Sequence, residues 1–196
     1  MKNIVILISG AGTNMAAIVR AAHQQKWPQR KGVRVAAVIS NQLNASGLAW
    51  VRANSEFSAI HTEVLAHTQF ESRDAFDQAL MKRIDLHTPD LVVLAGFMRI
   101  LTPDFVAHYA GRLINIHPSL LPAFTGLNTH QRAIDAGCQF TGATVHQVTA
   151  ELDHGQILAQ AVVPLIPGDT AESLAARVLT QEHVIYPMAV ADFFKQ

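Results

Sequence analysis

The sequence predicts an open α/β fold, a mostly parallel twisted sheet with helices on both faces and an antiparallel edge in the C-terminal third. Three observations lead there: short apolar runs without polar alternation, helical patterns between them, and two late runs that face each other across a turn. Residues 4–8 are continuously apolar, as a strand buried on both faces requires. The run stops at Ser9 and Gly10, too soon for a signal-peptide core or a membrane span. Residues 14–24 read as the helix that follows, and the Pro/Lys/Arg-rich stretch 26–31 as a surface connection. A second strand is expected over 33–39. Residues 71–87 predict a helix whose Phe76, Leu80 and Ile84 share one face at four-residue spacing. Residues 91–94 and 113–116 are further buried strands. Pro118, Pro122 and Gly126 then break regular structure and leave a long connection of the kind that often carries function. Residues 144–148 and 157–165 read as two strands joined by turn chemistry at Asp153-His154-Gly155, which makes the antiparallel edge. A closing helix starts at Thr170, with Asp169 as its N-cap and Glu172 three residues on. This order of elements is that of a Rossmann-like sheet.

A chain of 196 residues falls in the size range of one domain, and no repeat, low-complexity segment or long charge run divides it. A single domain over 1–196 is therefore expected. Fifteen basic residues balance fifteen acidic ones, so there is no cationic surplus to neutralise a nucleic-acid backbone. The expected ligands are small molecules, with neither nucleic acid nor membrane as partner. The single cysteine, Cys138, cannot close an internal disulfide, which fits a cytoplasmic location.

Five groups of residues carry possible chemistry. Residues 9–14 (Ser-Gly-Ala-Gly-Thr-Asn) form a small-residue turn between the first strand and helix; Gly10 and Gly12 allow close backbone approach, and amides at a helix start suit a phosphate. The turn lacks the third glycine of a dinucleotide fingerprint and the lysine of a P-loop, so a plain βα turn remains the alternative. Asn115 and His117 lie two apart at the carboxyl end of a strand and so point to one face, where open α/β sheets bind ligands; a structural histidine is the alternative. Asp153 sits in the turn after the strand bearing His146, either in reach of that edge or capping its own turn. Residues 96–101 mix flexible backbone with apolar side chains, fit to hold a flat heterocycle or merely to pack. Glu182 falls on the inward stripe of the final helix with Leu174 and Val178, and a carboxylate there needs a partner.

Taken together, residues 9–14, Ala95-Gly-Phe-Met-Arg-Ile-Leu101, Asn115-Ile-His-Pro-Ser-Leu-Leu-Pro122 and Glu151-Leu-Asp153, in that order, resemble the phosphoribosylglycinamide formyltransferase family of folate-dependent formyl transferases. The resemblance implies a catalytic group of Asn115, His117 and Asp153. It implies that Gly12, Thr13 and Asn14 hold a ribose phosphate and that Glu182 contacts the same substrate, glycinamide ribonucleotide. Arg73, Met98, Arg99, Ile100 and Leu101 would line the site of the cosubstrate 10-formyltetrahydrofolate together with Asn115, while Thr149 and Asp153 close over the pterin and residues 111–122 form the floor. No metal is implied, and the assembly would be a monomer or homodimer. Ala11, Thr125, Asn128, Ala150 and His154 depart from the family pattern, at the phosphate loop and the pterin loop.

The implied chemistry suits these residue types. An amine attacking a formyl carbon creates a tetrahedral oxyanion, which Asn115 and His117 can stabilise as hydrogen-bond donors. A carboxylate at Asp153 would favour the protonated ring and help carry the proton from nucleophile to leaving group. Cys138 has no part in this. Related chemistries use the same Asn-x-His core: a tRNA formyltransferase is expected to add a basic C-terminal domain and a formyltetrahydrofolate deformylase an N-terminal regulatory one. The deformylase-like hydrolase is the first alternative, and a non-catalytic nucleotide- or folate-binding module the second.

Overall fold

The computed structural model describes residues 1–195, which divide into two compact units, residues 1–114 and 115–195. The first holds β1 (Lys2–Ile8), α1 (Thr13–Gln24), α2 (Trp27–Lys31), β2 (Val33–Ser40), α3 (Ser46–Ala53), β3 (His61–Val64), α4 (Arg73–Asp85), β4 (Leu91–Leu94) and α5 (Pro103–His108). The boundary falls inside β5 (Leu113–His117). The second unit adds α6 (Thr129–Asp135), β6 (Phe140–Gln147), β7 (Ile157–Pro164) and α7 (Ala171–Phe193). The seven strands hydrogen-bond in the order β3-β2-β1-β4-β5-β6-β7.

In the first unit β1 is central, paired in parallel with β2 from Lys2↔Val33 to Ile8↔Ser40 and with β4 from Ile4↔Leu91 to Leu7↔Leu94. Ile4 through Ile8 are 0% exposed, which is why that run is apolar at every position rather than at alternate ones. Burying each such side chain contributes roughly 1.5–3 kcal/mol. β3 pairs only with β2 and carries His61, Thr62 and Glu63, the polar character that protects an edge from pairing with other chains. That polarity hides it from a search for apolar runs.

The stretch 26–31 is not the surface connection expected. It forms α2, entered and left through left-handed residues Lys26 and Gly32. Pro28 is tolerated in a first turn, where its missing N–H would have no intrahelical partner. Trp27 is fully buried, with its Nε1 donating to Gln25 Oε1 at 2.9 Å.

In the second unit β6 and β7 form the expected antiparallel pair, from Phe140↔Pro164 to His146↔Ile157. β6 begins four residues earlier than expected because Gly142 reads as a breaker, yet it is required: a Cβ there would stand 1.8 Å from the Ala161 carbonyl oxygen on β7. α7 packs on β6, β7 and α6. Its N-cap is Thr170, not Asp169. Thr170 Oγ1 accepts from Ser173 N and Ser173 Oγ accepts from Thr170 N, a reciprocal capping box. Asp169 binds Arg177 instead, at 2.6 Å, and accepts from Ile166 N; the guanidinium beside it holds its carboxyl well below the usual carboxylate range. Among the described residues, no helix is long and apolar enough to cross a membrane.

Candidate active site

In the first unit the chain leaves β1 at Ser9 and enters α1 through Gly12, whose φ of 63° and ψ of 35° are left-handed. No side chain caps that helix and no acidic residue occupies its first turn, so its leading amides and positive dipole end stand at the loop. Residues 9–14 line a cavity of about 360 Å³ together with Gln42, Ala95, Gly96 and Met98. Ser9 ties the walls together: its Oγ donates to Asn41 Oδ1 at 2.6 Å and accepts from Met98 N at 2.7 Å. Gly47 N donates to the Gly10 carbonyl at 3.1 Å, and a Cβ on Gly47 would stand 2.7 Å from Ile8 Cδ1 and 3.0 Å from the Ala11 oxygen. Gln42 and Gly47 carried no sequence signal, since each acts through a contact with a distant segment.

The structure therefore brings Gly12, Thr13, Asn14 and Met98 to one cavity, although the resemblance assigned Met98 to the other substrate. Arg99 lies with its guanidinium 4.8 Å from the Phe76 ring centre, while Met98 and Ile100 are exposed. The segment is anchored by Asp77, buried on α4, whose Oδ2 accepts from Thr102 N at 2.7 Å. Burial pushes the Asp77 carboxyl up, and the Thr102 hydrogen bonds oppose that shift. Arg73 is exposed at the first turn of α4.

The second unit gathers Asn115, His117 and Asp153 around a fourth residue, His146 of β6. Asn115 and His117 point the same way from β5, as their spacing requires. Asp153 enters from the turn between β6 and β7, at φ 58°. His117 Nδ1 lies 3.4 Å from Asp153 Oδ2 with both side chains almost fully buried, 7% and 6% exposed. His117 Nε2 donates to the Phe124 carbonyl at 2.9 Å. Both ring nitrogens thus face oxygen acceptors. Asp153 Oδ2 also accepts from Gly126 N at 2.9 Å, so the loop after β5 grips the histidine and the aspartate together. That loop contains a cis Leu121-Pro122 bond and is fastened to β6 through Thr144, whose Oγ1 accepts from Leu121 N and donates to the Ser119 carbonyl at 2.7 Å.

His146 fixes the orientation of Asn115. Its Nδ1 donates to the Gln147 carbonyl at 2.9 Å, which leaves a lone pair on Nε2 to accept from Asn115 Nδ2 at 3.4 Å. Burial pushes the His146 imidazole down, against the opposing pull of the Gln147 carbonyl and the Asp153 charge. Asp153 Oδ1 lies 3.8 Å from the same Nε2. The His146 contact engages one of the two Asn115 amide hydrogens. The sequence marked His146 only as lying on the strand before the Asp153 turn; its place on β6 beside Asn115 is set by pairing that no local pattern reveals.

Glu182 is buried on α7, as expected, one turn before the fully buried Tyr186. Burial pushes the Tyr186 phenol up, and the Glu182 charge adds to the shift. Thr149 is exposed and its Oγ1 donates to the Glu151 carbonyl at 3.1 Å, which shapes the start of the turn that delivers Asp153. The far side of that turn closes at Gly155, where a Cβ would stand 1.6 Å from the Gln147 carbonyl oxygen. Gly155→Ala should force the two strands apart and destabilise the protein by about 1–3 kcal/mol. Urea unfolding would detect this; an unchanged midpoint would mean that the turn yields at no cost.

Comparison with known proteins agrees with this architecture. The formyl transferase family model matches residues 2–190. The chain is 50% identical over 191 residues to phosphoribosylglycinamide formyltransferase of Escherichia coli (strain K12), covering 97% of this chain and 86% of that protein. The crystal structure of phosphoribosylglycinamide formyltransferase from Brucella melitensis superposes with a TM-score of 0.89 at 48% identity, over 100% of this chain and 96% of that one. Glycinamide ribonucleotide transformylase 1 from Symbiobacterium toebii gives a TM-score of 0.91 at 42% identity, over 100% and 88%. With the family match spanning the glycine loop, the Asn115-x-His117 strand and the Asp153 turn, the chain belongs to the formyl transferase family, in its phosphoribosylglycinamide formyltransferase branch.

Proposed function

We propose that the chain transfers the formyl group of 10-formyltetrahydrofolate to the amine of glycinamide ribonucleotide, as a single functional domain working in the cytoplasm. The observation that supports this reading most is the buried cluster of Asn115, His146, His117 and Asp153, in which polar contacts of 2.9–3.8 Å link two strands, a turn and a loop. Such a buried polar network is costly unless every member is paired, and it suits a reaction that creates and moves charge.

In the proposed reaction the amine nitrogen attacks the formyl carbon, a C–N bond forms and the carbonyl oxygen becomes an oxyanion. The amide hydrogen of Asn115 that His146 does not engage donates to that oxygen. His117 and Asp153 stand beside it as a donor and its counter-charge; His117 can join the oxyanion once Nε2 releases the Phe124 carbonyl. A proton passes from the new ammonium to the folate nitrogen, the bond from that nitrogen to carbon breaks, and tetrahydrofolate leaves. No covalent enzyme intermediate and no metal is required for this balance.

The glycine loop and the α1 amides would hold the substrate phosphate, with Glu182 on the same substrate. Arg73, residues 98–101 and Thr149 would contact the folate. The test is to mix enzyme with 10-formyltetrahydrofolate, with and without glycinamide ribonucleotide, and follow tetrahydrofolate. Release that depends on the amine is expected. Release without it would identify a deformylase-like hydrolase, and no release in either mixture would leave a binding module.

A further inference from the structure

A second cluster lies in the first unit at the sheet edge formed by β3. His61 and Glu63 sit two apart on β3 and so share a face, and His87 follows α4 just before β4. One ligand atom from each, two ring nitrogens and a carboxylate oxygen, lie within 4.8 Å of one another. From them we infer that this chain binds a divalent transition-metal ion of the zinc type through His61, Glu63 and His87.

The donor set and its surroundings carry the inference. Four-coordinate zinc holds imidazole and carboxylate ligands at about 2.0–2.2 Å, hence about 3.3–3.5 Å from each other. His61 Nε2 and Glu63 Oε2 already stand 3.5 Å apart. The wider separations close by rotating His61, whose side chain is 54% exposed. Glu63 is 14% exposed and its other oxygen accepts from Arg83 Nε at 2.5 Å, which fixes the carboxylate and turns Oε2 toward the imidazoles. The His87 backbone is pinned where its carbonyl accepts from Asn3 Nδ2 at 2.8 Å, and its ring tilts against His61 with centroids 5.1 Å apart.

Two imidazoles and one carboxylate favour zinc, nickel or copper over magnesium or calcium, which need oxygen cages. Arg83 and Arg34 oppose a cation electrostatically, so the nitrogen ligands must supply the affinity. None of its three residues lines the glycine-loop cavity. A metal there would play no part in catalysis, where none is expected. It would staple the polar edge strand β3 to the connection between α4 and β4.

The test uses the untagged full chain stripped of metal by chelator. Titration with ZnCl2 followed by calorimetry should give one equivalent bound, and CoCl2 should give visible d–d absorption bands of a nitrogen- and oxygen-ligated ion. Excess zinc at a hundred times its dissociation constant should raise the melting temperature by about 5–10 °C, whereas MgCl2 should leave it unchanged. His87→Ala and Glu63→Gln should each weaken zinc binding by roughly tenfold or more, with the metal-free melting temperature recorded for each to show that it folds. Zinc binding of undiminished strength in both folded variants, or no binding to the parent chain, would overturn the inference.

Discussion

Asn115→Ala is expected to lower turnover by roughly a hundredfold or more, about 2.7 kcal/mol, as loss of one oxyanion donor commonly does. The fold should survive. Asn115 is half-buried and its one contact with His146 is long, at 3.4 Å, so the hydrogen bond surrendered contributes about 1 kcal/mol against the 5–15 kcal/mol of a typical domain. The two effects are thus separable in one variant. Single-turnover formyl transfer measured beside thermal melting checks both; full turnover with an intact melt would remove Asn115 from the chemistry. A companion change at His146 tests how the amide is oriented. His146→Gln can still accept from Asn115 but loses the fixed ring, so a smaller loss than at Asn115 is expected, carried in kcat rather than KM because the residue acts through its neighbour.

Legibility in the sequence followed the range of the interactions. β1 and β4 could be read directly, since strands buried on both faces must be apolar throughout, and 113–117 ended where Pro118 forces it to end. The pair at 115 and 117 followed from the two-residue period alone. The grip on that pair did not. Phe124, Gly126 and Thr144 act through backbone oxygens, amides and a hydroxyl brought together by a contorted loop, and their residue types carry no mark of it. Gly142 and Gly155 were equally obscure: a glycine that permits close approach of two strands looks the same on paper as one that ends a strand. Lys26–Lys31 misled in the opposite direction, because a proline in a first helical turn is permissive and the charged residues around Trp27 conceal a core side chain. The His61, Glu63 and His87 cluster depends on a strand too polar to be recognised and a residue more than twenty positions away, so only the folded chain brings it together.

Asp153→Asn should depress turnover by a comparable factor, about a hundredfold or more, for a purely electrostatic reason. The substitution keeps shape. Asparagine is among the few residues that adopt a left-handed backbone readily, so φ 58° at position 153 is retained without strain, and its carbonyl can still accept from Gly126 N. What disappears is the negative charge 3.4 Å from His117 Nδ1 and 3.8 Å from His146 Nε2, in a pocket too buried for water to replace it. Asp153→Ala removes the charge, the acceptor and the left-handed tolerance at once, and the last of these alone costs about 1–2 kcal/mol. Melting temperature should therefore fall clearly in Asp153→Ala and little in Asp153→Asn, while turnover falls in both. If Asp153→Asn instead turns over at the parent rate, the carboxylate serves only to cap its turn, and the proton must reach the leaving nitrogen without it.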